Sequence, residues 1–253
     1  MTQPNDSNSK VKRSNDESLR TRTILIHGEP KVGKTSLVRT LGYDDPERVL
    51  VLDADRGTGA IEDTGVMVYP YESGKLYAEL HPWRIEAAKD QYDWIIVDGL
   101  NHISDAITEH EFSKPTKSGG ERGIDAWRDA IKGFEFWTKA VRDLSGKKGI
   151  FFITHSREQE ATIWPDAASD KMRRKMVGWF DLVGALRLFT EPEMKDGQPT
   201  GKTKTKRMIQ FNQAFDPRYV CGDRLAVCKD MEAPDLGAII KKANEKAVKK
   251  ETK

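Results

Sequence analysis

The segment from His27 to Thr35 constrains this chain more than any other, because it reads H-G-E-P-K-V-G-K-T and contains the G-x-x-x-x-G-K-[ST] pattern of a phosphate-binding loop. Glycines let such a loop curl so that its backbone N–H groups point at phosphate oxygens. Lys34 is expected to reach the β- and γ-phosphates of a nucleotide, and the Thr35 hydroxyl is expected to bind Mg²⁺. We therefore predict that the following loop residues contact the nucleotide: Gly28, Glu29, Pro30, Lys31, Val32, Gly33, Lys34, Thr35 and Ser36.

The segments on either side of the loop have the composition that a phosphate site requires. Thr23–Ile26 is a short, β-rich apolar run, and Ser36–Leu41 has the pattern of a helix that Gly42 would end. Such a helix directs the positive end of its dipole at the anion. A strand, a glycine loop and a helix in this order favour a phosphate site over a Gly-rich turn without a ligand.

Composition limits the class of protein. A chain of 253 residues with a net charge of +2 suits one compact α/β domain better than two full domains. The two cysteines, Cys221 and Cys228, have neither zinc-ligand spacing nor a disulfide framework, so reduced thiols are predicted. No apolar run approaches the roughly 18 to 20 residues that cross a bilayer, and no apolar signal segment begins the chain. We expect a cytoplasmic protein with no membrane contact.

Polar segments flank the predicted domain. Residues 1–20 are rich in Asn, Ser, Asp and Lys, and their few apolar side chains cannot repay the entropy of ordering. Residues 241–253 form a Lys-rich stretch that is typical of a frayed helix or a tail. The sequence therefore predicts one domain over residues 21–240, with a disordered tail before it and a Lys-rich tail after it.

Two predicted buried strands end in acidic residues. Arg48–Asp53 is a nearly continuous apolar run that leads into Asp53-Ala54-Asp55, and Tyr92–Asp98 has four apolar residues before its final acid, the form of a Walker B strand. Ligands gather at the carboxyl ends of strands in such sheets. Asp98 is therefore predicted to bind Mg²⁺ together with Thr35. For Asp53 and Asp55, a turn-forming or capping role remains open.

The rest of the chain contains further predicted elements. A helix from Asp125 repeats aromatic and aliphatic residues at steps of three and four, which favours a face packed on the sheet. The others are a mobile loop over Ser113–Gly123, a strand over Ile150–Thr154 that ends at His155, a loop over Ser156–Gly178, and a hairpin formed by Leu186–Phe189 and Arg207–Phe211.

Second motifs separate the classes that share a phosphate loop. A GTPase should carry N/T-K-x-D and D-x-x-G, but Asp98 is followed by Gly99-Leu100-Asn101. A ParA-like protein has a Lys directly after the first loop Gly, where Glu29 stands here. A small-molecule kinase stays open, although no loop stands out as its Arg-rich lid. The remaining class of phosphate-loop proteins has an extra strand between the phosphate-loop strand and the Walker B strand, and this strand ends in a polar sensor residue. His155, after the predicted strand Ile150–Thr154, fits the position of that residue.

Four motifs carry a family resemblance: G-E-P-K-V-G-K-T at Gly28–Thr35, L-D-A-D at Leu52–Asp55, I-I-V-D-G-L at Ile95–Leu100 and F-F-I-T-H-S at Phe151–Ser156. In this order they resemble the compact RecA-like ATPases of bacteriophages, which are related to RecA recombinases and are proposed to act in single-strand annealing and recombination. The resemblance covers about Thr23 to Leu236.

The resemblance implies an α/β fold with a RecA-like P-loop NTPase core. Its central sheet would be mostly parallel, flanked by helices and extended by a C-terminal β-hairpin. It also implies ATP and Mg²⁺ as ligands and ATP hydrolysis as the activity. The partners would be single-stranded DNA, further copies of the chain that complete the ATP site at a subunit interface, and a single-strand DNA-binding protein. The location would be the cytoplasm of a bacterial host cell.

The resemblance also assigns catalytic roles, to Lys34, Asp55, Asp98, His155 and Arg224. Asp55 stands where relatives have a Glu that orients the attacking water, and the missing methylene leaves open whether turnover is fast. His155 stands at the γ-phosphate sensor position. Arg224 matches an arginine that reaches a neighbour's γ-phosphate, although Gly222 replaces the Lys that often precedes it.

The loop after His155 would face DNA through Lys171, Arg173, Arg174 and Lys175. From sequence alone, a solvated run of charges explains these residues equally well. The alternative function is a nucleotide-dependent switch or loader that binds ATP and acts through a protein partner.

Overall fold

A computed structural model describes residues 23–115, 123–146, 148–195 and 198–251. The predicted N-terminal tail, residues 1–20, and most of the predicted loop Ser113–Gly123 lie outside these ranges. The strands are β1 Thr23–Gly28, β2 Val49–Asp53, β3 Met67–Tyr69, β4 Trp94–Asp98, β5 Gly149–Gln159, β6 Thr162–Pro165, β7 Leu182–Lys195, β8 Gln198–Gln210, β9 Gly222–Asp223 and β10 Met231–Glu232. The α-helices are α1 Leu76–Ala87, α2 Leu100–Ser113, α3 Gly123–Arg142, α4 Asp170–Val177 and α5 Leu236–Glu251.

The sheet has the strand order β10-β8-β7-β1-β5-β4-β2-β3, with β6 paired to β5 and β9 paired to β7. The strands from β7 to β3 in this order run parallel, whereas β8 is antiparallel to β7. As predicted, β5 lies between the phosphate-loop strand β1 and the Walker B strand β4. The α/β class, the mostly parallel sheet and the C-terminal β-hairpin are confirmed.

Helices cover both faces of the sheet, which explains why β1, β2 and β4 read as apolar runs. One face packs against α1, α2 and α3 around an aromatic-rich core that includes Trp83, Phe134 and Phe152. The other face packs against the segment after the phosphate loop and against α5, with Phe151 and Phe211 fully buried. The predicted inward face of α3 is confirmed by Phe134 and Trp137, but Trp127 is 39% exposed.

The predicted loop Ser156–Gly178 is wrong, because this segment contains the end of β5, the strand β6 and the helix α4. The side chain of Ser169 caps α4 by accepting a hydrogen bond from the backbone N–H of Met172. Met172 and Met176 are buried against the helical core, so one apolar stripe holds this short, mostly charged helix in place. The Lys-rich C-terminal stretch is helical through Glu251 as part of α5.

The segment after the phosphate loop is also different from the prediction. Thr35–Thr40 forms a six-residue 3₁₀ helix in place of a regular α-helix. The backbone N–H of Leu37 donates to the carbonyl of Lys34, three residues back, and Gly42 follows in the left-handed region at φ 72°. Short segments favour this tighter helix, and its dipole is correspondingly small. Within the described ranges, no helix has the length and apolar character to span a membrane.

Candidate nucleotide-binding site

The candidate site lies where β1, β4 and β2 end, beside the point at which β5 leaves its parallel pairing with β1 and β4 and continues to Gln159. The register of the parallel strands pairs Gly28 with His155 and Asp53 with Asp98. Residues far apart in the chain therefore meet at the carboxyl edge of the sheet, where ligands bind in folds of this class.

The two motif glycines meet different structural requirements. Gly33 has a φ of 95°, a left-handed conformation that side chains rarely adopt. Gly28 lies against β7, because a Cβ atom at this position would be 2.7 Å from the carbonyl oxygen of Leu186. The first glycine thus permits strand packing beside the loop, and the second permits the turn of the loop itself.

Lys34 lies inside the loop and is only 5% exposed. Its ammonium group donates hydrogen bonds of 3.0 Å and 2.9 Å to the carbonyl oxygens of Gly28 and Glu29. Burial lowers the pKa of Lys34, while the negative charges of Asp98, Asp55 and Glu29 oppose this shift. The lysine is therefore held in place by the loop backbone at the position predicted for the phosphates.

Thr35 and Asp98 form the predicted metal side of the site. The Thr35 hydroxyl donates a 2.6 Å hydrogen bond to Oδ2 of Asp98, while Oδ1 is buried without a hydrogen-bond partner among the described residues. Burial raises the pKa of Asp98 to about 7. The hydrogen bond from Thr35 opposes this rise, whereas the negative charges of Asp53 and Asp55 increase it. An unpartnered carboxylate oxygen beside a hydroxyl fits Mg²⁺, which prefers oxygen ligands and would supply the missing positive charge.

Asp53 has a capping role. Its carboxylate accepts hydrogen bonds from the backbone N–H groups of Gly57 (2.8 Å) and Thr58 (3.0 Å). This contact brings the backbone of Gly57 against the metal side, since a Cβ atom there would lie 3.2 Å from Oγ1 of Thr35 and 3.6 Å from Oδ2 of Asp98. Asp53 thus shapes the wall of the site and uses both oxygens to do so.

Asp55 accepts hydrogen bonds from two histidines. Nε2 of His102 lies 2.8 Å from Oδ1, and Nε2 of His155 lies 3.0 Å from Oδ2. Burial acts to raise the pKa of Asp55, but the hydrogen bonds from His155 and His102 outweigh it, so the pKa is lowered. Asp55 and His155, which the sequence placed at one edge, are in direct contact, and His102 is an additional member from the first turn of α2.

Arg207 lies over the phosphate loop. A Cβ atom at Gly33 would overlap Nη1 of Arg207 and would be 3.4 Å from its Cζ. The residue belongs to β8, where it is paired with Leu188 of β7, so the long hairpin returns this guanidinium to the loop. Among the described residues, Arg207 has no carboxylate or hydrogen-bond partner. Its positive charge is therefore available to an anion bound at the loop.

The four basic residues predicted to face DNA do not act as one free cluster. Arg173 is buried, pairs with Asp170 and donates a 2.9 Å hydrogen bond to the carbonyl of Ala167. Lys175 pairs with Glu135 of α3 at 2.7 Å. Lys171 and Arg174 are exposed on α4.

Arg224 lies at the opposite edge of the sheet from the phosphate loop. Arg224 directly follows β9, and β9 pairs with Leu182 and Val183 at the start of β7. Leu182 is in turn paired with Ile24 at the start of β1, so Arg224 lies at the amino ends of these strands. Its side chain donates a 2.7 Å hydrogen bond to the carbonyl oxygen of Gly178. The fold therefore does not bring Arg224 to the site formed by its own chain.

Sequence reasoning missed His102, Gly57 and Arg207. His102 follows Asp98, the Walker B acid, by four residues, and this short spacing is the sequence feature that could have placed it at the carboxyl edge of the sheet. Neither Gly57 nor Arg207 lies in a motif, because each reaches the site through a loop or a hairpin whose path depends on tertiary packing.

A family model described as an AAA domain matches residues 20–225, which is more than half of the chain. The match begins just before β1 and ends just after β9, so it includes every residue of the site described above. None of the curated proteins matches the sequence.

Proposed function

Because the chain belongs to this AAA-domain family of P-loop ATPases, we propose that it binds ATP with Mg²⁺ and hydrolyses it. The observation that carries the proposal is the 2.6 Å hydrogen bond between Thr35 of the phosphate loop and Asp98 of the Walker B strand, with a free Asp98 oxygen beside it. Thr35 and Asp98 would hold Mg²⁺, which would supply positive charge to the phosphates. Lys34 would exchange its two backbone carbonyl partners for phosphate oxygens.

Arg207 adds a second positive charge at the loop. Phosphoryl transfer depends mainly on positioning and on charge stabilisation, so a guanidinium close to Gly33 favours phosphate binding. Arg207 acts in the same chain as Lys34 because the β7–β8 hairpin holds it there.

Asp55 orients the attacking water, and His155 and His102 hold its carboxylate in position. The contact between Asp55 and His155 supports the role of His155 as a γ-phosphate sensor, because a shift of one changes the hydrogen bond of the other. Asp is one methylene shorter than the Glu of RecA-like relatives, so we expect slow turnover unless an activator improves the geometry.

Single-stranded DNA is the activator that we propose, in recombination or annealing of the type carried out by bacteriophage RecA-like proteins. The strand order with β5 between β1 and β4 supports this, since His155 lies on β5 and the same strand continues into the β5–β6 hairpin. Lys171 and Arg174 are exposed nearby on α4, and Arg174 lies 5.9 Å from the ring centre of the half-buried Trp164. Phosphates and bases are bound by such combinations of cations and aromatic rings.

The active form that we propose is a side-by-side homo-oligomer with ATP at the subunit interface. Its support is the place of Arg224, at the sheet edge opposite its own phosphate loop, where a neighbouring copy can reach it. An arginine supplied in this way stabilises the charge of the transition state. A partner single-strand DNA-binding protein would deliver the DNA.

ATP binding and hydrolysis, measured with and without single-stranded DNA over a salt series, test the proposal. We expect DNA to stimulate hydrolysis, and we expect the stimulation to fall as salt rises. Lys34→Ala should abolish nucleotide binding, while Lys132→Ala, which removes an exposed lysine of α3, should retain it.

Other outcomes separate the alternatives. ATP binding without DNA binding at low salt would contradict the DNA role and favour a switch or loader that acts through a protein partner. Transfer of phosphate to a small molecule by a protein that remains monomeric with a non-hydrolysable ATP analogue would favour a kinase. Unchanged hydrolysis in Lys34→Ala would reject the nucleotide site itself.

A further inference from the structure

Two imidazoles and one carboxylate converge beside the proposed magnesium site. The Nε2 atoms of His102 and His155 both point at the carboxylate of Asp55, and the two rings lie edge to face with their centres 6.0 Å apart. The three ligand atoms all lie within 4.8 Å of one another. In the described part of the chain, no other group of three His, Cys, Asp or Glu side chains is gathered in this way.

Three separate elements hold this group together. Asp55 lies two residues after β2, His155 lies on β5, and His102 lies in the first turn of α2. Gly99, with a φ of 97°, makes the close contact, because a Cβ atom there would be 2.7 Å from the backbone nitrogen of Asp55. The Asp55 N–H also donates to the carbonyl of Asp98. The position of the group is therefore fixed by the backbone and not by flexible side chains alone.

We propose that Asp55, His102 and His155 form a binding site for a divalent transition-metal ion of the zinc class, separate from the magnesium site at Thr35 and Asp98. Imidazole nitrogen with a carboxylate oxygen is a donor set that suits Zn²⁺ and its neighbours in the first transition row. Mg²⁺ takes oxygen ligands, so the all-oxygen site at Asp98 and the nitrogen-containing site at Asp55 select different ions.

The distances allow a metal with small adjustments. Metal–ligand bonds of about 2.0 to 2.2 Å at tetrahedral angles place neighbouring ligand atoms roughly 3.4 Å apart. The 2.8 Å separation of His102 from Oδ1 and the 3.0 Å separation of His155 from Oδ2 need to lengthen by roughly half an ångström. The other separations among the ligand atoms, which are at most 4.8 Å, need to shorten, so the carboxylate and the two rings rotate when the ion binds. The ion would bind the Nε2 lone pair of each neutral imidazole, whose proton then resides on Nδ1 in place of the Nε2 position that now donates to the carboxylate.

The site is open to solvent. The side chains of Asp55, His102 and His155 are 27%, 42% and 24% exposed. His102 also lines a cavity of about 580 Å³ between the segment 71–77 and α2, so an ion can enter from that side. Three protein ligands with an open position are typical of reactive or regulatory metal sites and not of closed structural ones.

A metal at this position engages the carboxylate that we propose to orient water. Metal loading and ATP hydrolysis would then compete for Asp55. This consequence rests on the proposed function, whereas metal binding itself needs no nucleotide and is tested without one.

The test uses the full chain without a polyhistidine tag, stripped of metal. Titration with Co²⁺ should give visible ligand-field absorption, and Zn²⁺ should displace it at one equivalent per chain. His102→Ala and Asp55→Ala should each weaken Zn²⁺ binding at least about tenfold. His81→Ala removes an exposed histidine of α1 outside the group and should leave the affinity unchanged.

Circular dichroism and nucleotide binding show whether His102→Ala remains folded, and His102→Asn provides a second variant that keeps a polar side chain. Equal Zn²⁺ affinity in the wild type and in folded His102 variants would overturn the metal site. So would a loss of the same size in His81→Ala.

Discussion

Thr35 and Asp98 lie 63 positions apart in the chain, yet the Thr35 hydroxyl donates a 2.6 Å hydrogen bond to the Asp98 carboxylate. The two groups that are expected to bind Mg²⁺ are thus in contact within the folded chain. Few side-chain movements are then needed when the ion and its nucleotide arrive, and geometry that is set in advance lowers the entropic cost of binding.

Removal of the Thr35 hydroxyl should uncouple nucleotide binding from magnesium. Thr35→Val keeps the shape of the side chain but loses the oxygen. We therefore expect the factor by which Mg²⁺ increases ATP affinity to be about ten times smaller in this variant than in the wild type. Thr35→Ser keeps the hydroxyl and should behave like the wild type. Fluorescent ATP titrations with Mg²⁺ and with EDTA measure both. A full magnesium response in Thr35→Val would contradict the assignment.

A methyl group at position 57 should reduce activity without unfolding the protein. The Cβ atom of Gly57→Ala would lie 3.2 Å from the Thr35 hydroxyl, while the backbone φ of −96° accepts alanine. We expect magnesium-dependent ATP hydrolysis to fall several-fold, because the Thr35 hydroxyl must shift by a few tenths of an ångström and a displacement of about 1 Å lowers a rate roughly a hundredfold. The thermal midpoint should change little.

Gly59→Ala is the matched control, since a Cβ atom at position 59 meets no other atom within 4 Å. Equal activity losses in the two variants would show that the segment is sensitive to any alanine and that contact with Thr35 is not the cause.

Local patterns predicted the parts of the site that lie in continuous segments. The phosphate loop and the end of β4 at Asp98 are short stretches in which residue type largely decides the structure. The predicted end of the next strand at His155 is wrong, because β5 continues to Gln159 to pair with β6. The place of β5 between β1 and β4 followed from the elimination of other phosphate-loop classes and is confirmed. These features depend on few tertiary contacts outside the sheet.

The remaining features depend on packing that sequence patterns do not encode. In the sequence, Arg173 is one more positive charge in a basic cluster. In the structure it is buried, donates to the carbonyl of Ala167 and pairs with Asp170. Arg207 lies in a polar strand, and only the return of the β7–β8 hairpin brings it over Gly33. Charge and periodicity can be read from a sequence, whereas the direction of a long hairpin cannot.

Loss of the Arg207 guanidinium should weaken nucleotide binding in a single chain. Charge-assisted hydrogen bonds contribute about 1.5 to 3 kcal/mol, so Arg207→Ala should lower ATP affinity roughly ten- to a hundredfold. Lys206→Ala is the control, because this adjacent lysine is on the other face of β8 and pairs with Glu191. Equilibrium titration of both variants measures the difference. If both lose the same affinity, the effect is one of overall charge and not of contact.

Mixtures of two inactive variants should reveal whether Arg224 acts between subunits. Arg224→Ala should bind ATP normally but hydrolyse it more slowly, by as much as a thousandfold if the arginine contacts the γ-phosphate. Lys34→Ala retains Arg224 but cannot bind ATP. In a mixture, Arg224 of one copy meets an intact phosphate loop of another, so hydrolysis should partly return. Activity that stays at the level of the separate variants would contradict action in trans.

His27 should make the stability of the protein depend on pH in the acid range. The ring is fully buried, Nε2 lies 2.9 Å from the carbonyl oxygen of Val220 and must donate to it, and Nδ1 therefore accepts from the Ser156 hydroxyl at 2.8 Å. Burial lowers the pKa of His27 to about 4, the hydrogen bond to Val220 opposes this shift, and the charge of Lys34 adds to it. The folded protein thus holds the neutral ring at pH values where the unfolded chain takes up a proton.

The contribution of the neutral His27 ring to the free energy of unfolding is complete above pH 6.5, the pKa of His27 in the unfolded chain. This contribution is lost as the pH falls towards 4, at about 1.4 kcal/mol per pH unit and up to about 3 kcal/mol in total. His27→Gln keeps a donor for Val220 but does not titrate. Its free energy of unfolding, measured by denaturant titration between pH 7 and 4, should therefore fall less steeply than that of the wild type. Parallel pH profiles for the two proteins would show that His27 does not carry this dependence.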